Sequence, residues 1–149
     1  MAERATFGVI DWQILPRLRS CYEDLKRWPV PTLETWQVIH GDLAGNFLFS
    51  NEKNPIILDF TPKWSPVGFG EAVMAVDICL WEQVALGDIA STLSPGERAL
   101  LPLATLRRLL EVDTLYRLQG RAELHLDQVE HYHSFMPELE LVVPIKSFL

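Results

Sequence analysis

Between Thr35 and Phe60 the chain alternates short apolar runs with polar loops, a pattern of strands and turns. Trp36 to Ile39 suits a buried strand, and His40 to Gly45 is a polar, glycine-containing loop. Phe47-Leu48-Phe49 and Pro55 to Phe60 are further apolar runs. The polar stretch Ser50-Asn51-Glu52-Lys53-Asn54 joins them, so the two read as a hairpin.

Helical spacing governs most of the remainder. Trp12, Leu15, Leu18, Tyr22 and Leu25 predict an amphipathic helix over Asp11 to Arg27. Asp11 is its candidate cap, Pro16 belongs in its first turn, and Trp28-Pro29-Val30-Pro31 breaks it. Thr61 to Gly70, with two Pro and two Gly, reads as a loop. Gly70 to Leu86 is almost wholly apolar and predicts a buried helix ended by Gly87. Ser94-Pro95-Gly96-Glu97 has the form of a capping box, starting a helix that runs to about Gln119 with a kink at Pro102. A last amphipathic helix is expected over Arg121 to Phe135. Pro137 and Pro144 argue for a tail from Met136 onward, where Glu138 and Glu140 would be solvated. The expected fold is therefore α+β, mainly helical, in a single domain over residues 1–149.

Composition narrows the partners. Lys and Arg number 13 against 20 Asp and Glu, a net charge of −7. Such a chain is a poor general binder of nucleic acid, whose phosphates need cations, and is compatible with a cationic substrate. No apolar run approaches the roughly 18 residues of a membrane span. Cys21 and Cys79 lie far apart and form neither a disulfide framework nor a metal knuckle, so a cytoplasmic location is expected. His125, His131 and His133 fit solvated or packed side chains better than a zinc site, because 131 and 133 face different ways on a helix. Trp64 and Trp81 are expected to pack on the core, with Lys63 a weaker candidate for touching substrate or phosphate.

The residues that carry chemistry cluster at the ends of the apolar runs: His40, Asp42, Asn46 and Asp59. A loop leaving a strand can project polar side chains into a cleft while the strand anchors it. One carboxylate can act on a hydroxyl proton. An amide oxygen and a second carboxylate are hard ligands suited to Mg²⁺.

The string Val38-Ile39-His40-Gly41-Asp42-Leu43-Ala44-Gly45-Asn46-Phe47-Leu48-Phe49, followed by Ile56-Ile57-Leu58-Asp59-Phe60, resembles the kinase-like phosphotransferases. Within them it is similar to the aminoglycoside phosphotransferase and choline kinase branch, which carries His-Gly-Asp, a nearby Asn, and Asp-Phe or Asp-Trp after a hairpin. With Asp-Phe-Thr-Pro-Lys-Trp included, it looks like an actinobacterial group of phosphotransferase-like proteins of uncharacterised activity. The resemblance covers Gln37 to Trp81.

It implies the C-terminal lobe of a protein-kinase-like fold, its hairpin carrying the catalytic and metal segments. Asp42 would take the proton of a hydroxylated small-molecule acceptor. Asn46 and Asp59 would hold Mg²⁺ and through it ATP or another nucleoside triphosphate. His40 would brace the loop, and Asp77 would tie down loop backbone amides from the helix beneath. Two features depart from the pattern. Kinase loops place four residues between base and Asn, whereas only Leu43, Ala44 and Gly45 intervene here. No glycine-rich loop or lysine strand precedes His40, so the nucleotide-covering lobe is expected from a longer protein or a partner chain, or is lost in a truncated remnant. The alternatives are a non-catalytic, one-lobed binding module and, less favoured, a metal-dependent hydrolase using His40, Asp42 and Asp59.

Overall fold

Two small antiparallel ribbons sit against a set of helices. The computed structural model describes residues 13–32, 35–119 and 126–145 of the chain. Strand β1 (Trp36–His40) pairs with β4 (Pro62–Pro66), and β2 (Phe47–Leu48) pairs with β3 (Ile56–Ile57). The expected hairpin is therefore present, with Phe47 opposite Ile57. β4 falls where a loop was expected. Its two prolines pair only at the ribbon's ends, Pro62 with His40 and Pro66 with Trp36, where a missing N–H is tolerated. β1 is only partly buried, with Ile39 its one buried residue.

The helices hold the core. A 3₁₀ turn at Pro16–Leu18 leads into α1 (Arg19–Leu25), shorter than the periodicity suggested, and the Asp11 cap lies outside the described residues. α2 (Phe69–Glu82) ends four residues before Leu86, because Gln83 turns left-handed at φ 55°. Leu86 then opens a separate short helix, α3 (Leu86–Ala90). The capping box forms as expected: Ser94 Oγ accepts from the Glu97 amide, and Glu97 accepts from the Ser94 amide at 2.6 Å. It starts α4 (Pro95–Ala99), which breaks before α5 (Leu101–Gln119).

α6 (Leu126–Val142) runs straight through Pro137, correcting the expected tail. Proline removes one N–H there, but the helix carries an apolar face into the core that favours continuing it. Tyr132, Phe135 and Leu139 on that face are buried with Leu101, Leu109 and Leu110 of α5 and with Phe69, Val73 and Val76 of α2. Glu138, expected to be solvated, accepts the Leu86 amide at 2.8 Å and so caps the free start of α3. Trp28 closes the core edge by donating its ring N–H to the Val143 carbonyl at 2.8 Å. The chain is α+β and mainly helical. Among the described residues, no helix is long and apolar enough to cross a membrane.

Candidate functional site

The loop after β1 is folded tightly by its own sequence. The Asn46 amide donates to the Leu43 carbonyl at 3.0 Å, and Gly45 takes φ 77°, the left-handed value that a type II turn requires at its third residue. The Asn46 side-chain amide donates to the Asp42 carbonyl at 2.7 Å. The three intervening residues thus form one closed turn that keeps Asn46 beside Asp42.

His40 links this loop to the second carboxylate segment. Its Nδ1 accepts from the Asp42 amide at 3.2 Å, and its Nε2 lies 3.2 Å from the Leu58 carbonyl. One nitrogen must accept and the other donate, which defines the neutral Nε2–H tautomer. Phe60 meets the ring edge-on with centroids 5.4 Å apart. The ribbon brings the two candidate metal ligands near each other, since Leu58 donates its amide to the Asn46 carbonyl at 2.9 Å. Asp59, the next residue, is exposed and adopts φ 43°. Asp is among the few non-glycine residues that tolerate this conformation.

Gly41 is fixed from three sides. Its amide donates to the Thr61 carbonyl at 2.8 Å, and its carbonyl accepts from Arg107 at 3.0 Å. A Cβ on Gly41 would lie 2.3 Å from Cγ of Lys63, whose stem lies across it.

Beneath the loop is an ion cluster that spacing did not reveal. Asp77, on α2 and only 2% exposed, accepts from Arg108 through both carboxylate oxygens, Nε to Oδ1 at 2.7 Å. The same guanidinium donates to Asp42 Oδ1 at 2.8 Å and to Glu111 at 2.6 Å. Glu111 also accepts from Arg107, which is fully buried against the Phe69 ring. Burial works against the Arg108 charge, yet the Asp77 carboxylate bound to it, with Glu111 and Asp42, raises its pKa above the ordinary value. The expected tie between Asp77 and loop amides is replaced by an arginine bridge, from Asp77 through Arg108 to the Asp42 side chain, with Arg107 holding the loop carbonyl. The signal in the sequence was Arg107-Arg108 inside an otherwise apolar stretch of α5, with Glu111 one turn later.

An open cavity of about 580 Å³ lies between the hairpin and α2. Ala44, Gly45, Phe47 and Phe49 line one side, and Met74, Ile78 and Trp81 the other. Trp81, expected in the core, is 39% exposed on this cavity, and Trp64, also expected in the core, is 66% exposed on β4. Neither expectation holds, because each ring falls on the face of its element turned from the core. His125 lies outside the described residues. His133 Nδ1 sits 3.5 Å from the Cys21 thiol, and His131 lines a second cavity of about 370 Å³ with Cys79 and Glu138. Among the described residues, no group of three or more His, Cys, Asp or Glu side chains is arranged to hold a metal ion. No protein-family model matches the chain, and neither a curated protein nor a solved structure matches it.

Proposed function

We propose that this chain is the C-terminal lobe of an ATP- and Mg²⁺-dependent phosphotransferase of the kinase-like fold, acting on a hydroxyl of a small molecule. The observation that carries the reading is the juxtaposition of Asp42, Asn46 and Asp59 through one turn and one ribbon, with Asp42 tied to the buried Asp77 by Arg108. Asp42 is exposed and would accept the acceptor's hydroxyl proton as the new oxygen–phosphorus bond forms. The γ-phosphorus bond to its bridging oxygen breaks in that step, and the nucleoside diphosphate leaves. Arg108 and His40 are positioning residues, one holding the Asp42 carboxylate and the other its amide.

Asn46 and Asp59 fit a hard divalent cation. Asn46 uses its amide nitrogen on the Asp42 carbonyl, so its oxygen is the end available as a ligand, and the exposed Asp59 supplies a carboxylate. Mg²⁺ held there would offset the negative charge of the nucleotide phosphates. The outer faces of the ribbons, with Val38, Leu48 and Ile56 exposed, suit coverage by a nucleotide-binding lobe from a longer chain or a partner.

A one-lobed binding module is the second reading. It is favoured by the shortened Asp42–Asn46 spacing and by the engagement of the Asp42 carboxylate with Arg108. Calorimetric titration with ATP, with and without Mg²⁺, separates the two. The phosphotransferase reading expects binding that needs Mg²⁺ and is lost in Asp59→Ala. ATP binding that ignores Mg²⁺, or that survives Asp59→Ala, overturns it in favour of the module.

A further inference from the structure

α2 is apolar on more faces than the core uses. Phe69, Ala72, Val73, Val76 and Leu80 are buried against the other helices, a complete inward stripe. Met74, Ile78 and Trp81 follow a second stripe at helical spacing, and this one faces the cavity under the hairpin. A helix apolar on opposite faces is normally covered on both. Here the second cover is a concave space, walled across from α2 by Phe47 and Phe49, the latter 77% exposed.

Size and charge decide what fits. The cavity's volume of about 580 Å³ lies in the range of small-molecule sites. Met74 to Trp81 spans about 10 Å along the helix axis, the length of two or three fused rings. A protein partner would need a contact of about 800 Å² per side, far more than this short wall offers. Of the two carboxylates on the wall, Asp77 is neutralised by Arg108, and Glu82 is exposed at the rim. The remaining lining is dominated by aromatic and aliphatic side chains, which stack on flat rings and give nothing to a polyhydroxylated amine. Ala44 and Gly45, which line the cavity, belong to the turn that directly follows Asp42.

We propose that this cavity binds a flat aromatic alcohol, and that such alcohols are the acceptor class of the candidate site. The ring system lies between Phe49 and Trp81, and the hydroxyl is presented at the Ala44–Gly45 edge toward Asp42. The acceptor role rests on the phosphotransferase reading; the binding itself does not.

The chain has three methionines, Met1, Met74 and Met136, and of the two among the described residues Met74 lines the cavity and Met136 does not, which makes the test specific. The chain labelled with ¹³C at the methionine methyls is titrated with 2-(2-naphthyl)ethanol, without nucleotide or Mg²⁺. The expected result is a saturable shift of the Met74 methyl signal with Met136 unmoved. Trp81→Ala and Phe49→Ala each weaken the response about tenfold, and both rings are exposed enough for the fold to survive their loss. The proposal is overturned by no saturable shift at Met74, by equal affinity in both variants, or by glucosamine binding there as tightly as the naphthyl probe. A Met74 shift that depends on protein concentration without probe would assign the cavity to a second copy and equally overturn it. Failure of the ATP titration leaves this experiment intact, and failure here leaves the Mg²⁺–ATP site standing.

Discussion

Leu109 on α5 and Ile57 on β3 are aliphatic residues of equal size, each in an apolar run, yet Leu109 is fully buried and Ile57 is 53% exposed. The contrast extends to their surroundings. The helices bury most of their apolar residues against one another, whereas the ribbons leave Val38, Leu48, Ile56 and Trp64 outward. Hydrophobic burial therefore holds the helical half, and the ribbon half depends on pairing and on polar ties to the helices. Those ties converge on Arg107 and Arg108, which grip Gly41, Asp42 and Asp77 together.

The contrast predicts a graded set of responses. Arg108→Ala should have the largest effect, about 3–5 kcal/mol by urea unfolding, because it leaves the Asp77 carboxylate buried without its partner. Replacing both groups by apolar residues, Arg108→Met with Asp77→Leu, should recover much of that loss. If Arg108→Ala costs under about 1 kcal/mol, the bridge does not join the halves. Leu109→Ala should cost about 3 kcal/mol from lost burial and the cavity left behind, read in the same assay.

The buried thiol of Cys79 reports on the same core. Burial, with Glu138 adding to it, pushes its pKa up from 9.0 to about 11. A raised acid stays protonated longer, so alkylation by iodoacetamide at pH 8 should run about a hundredfold slower than at an ordinary thiol. The rate should climb about tenfold per pH unit until pH 11. Rapid labelling at pH 8 would mean that the α2–α6 contact opens. Ile57→Ala should have the smallest effect, under about 0.5 kcal/mol. A cost like that of Leu109→Ala would erase the distinction between the halves.

What could be read in advance follows the range of the interactions. The Ser94–Glu97 capping box and the Phe47–Ile57 hairpin depend on residues close in sequence, and both were legible. β4 was not, since Pro62 to Pro66 becomes a strand only because Trp36 to His40 lies alongside it. Nor was the course of α6 through Pro137, where core contacts outweigh one lost hydrogen bond. At the candidate site, His40, Asp42, Asn46 and Asp59 were picked out by residue type and position. Arg108 lies 66 residues from Asp42 and 31 from Asp77, so its bridge is a product of how α5 packs on α2.

The space above Gly41 changes what its motif means. Because the Lys63 stem occupies the place where a side chain would begin, the glycine is demanded by the fit of β4 against the loop, whatever chemistry the loop performs. A loop that performed no chemistry at all would still need glycine there for as long as Lys63 crossed it. His-Gly-Asp is thus a fingerprint with two owners: its middle letter records a packing contact, and only the carboxylates at Asp42 and Asp59 bear on the proposed chemistry.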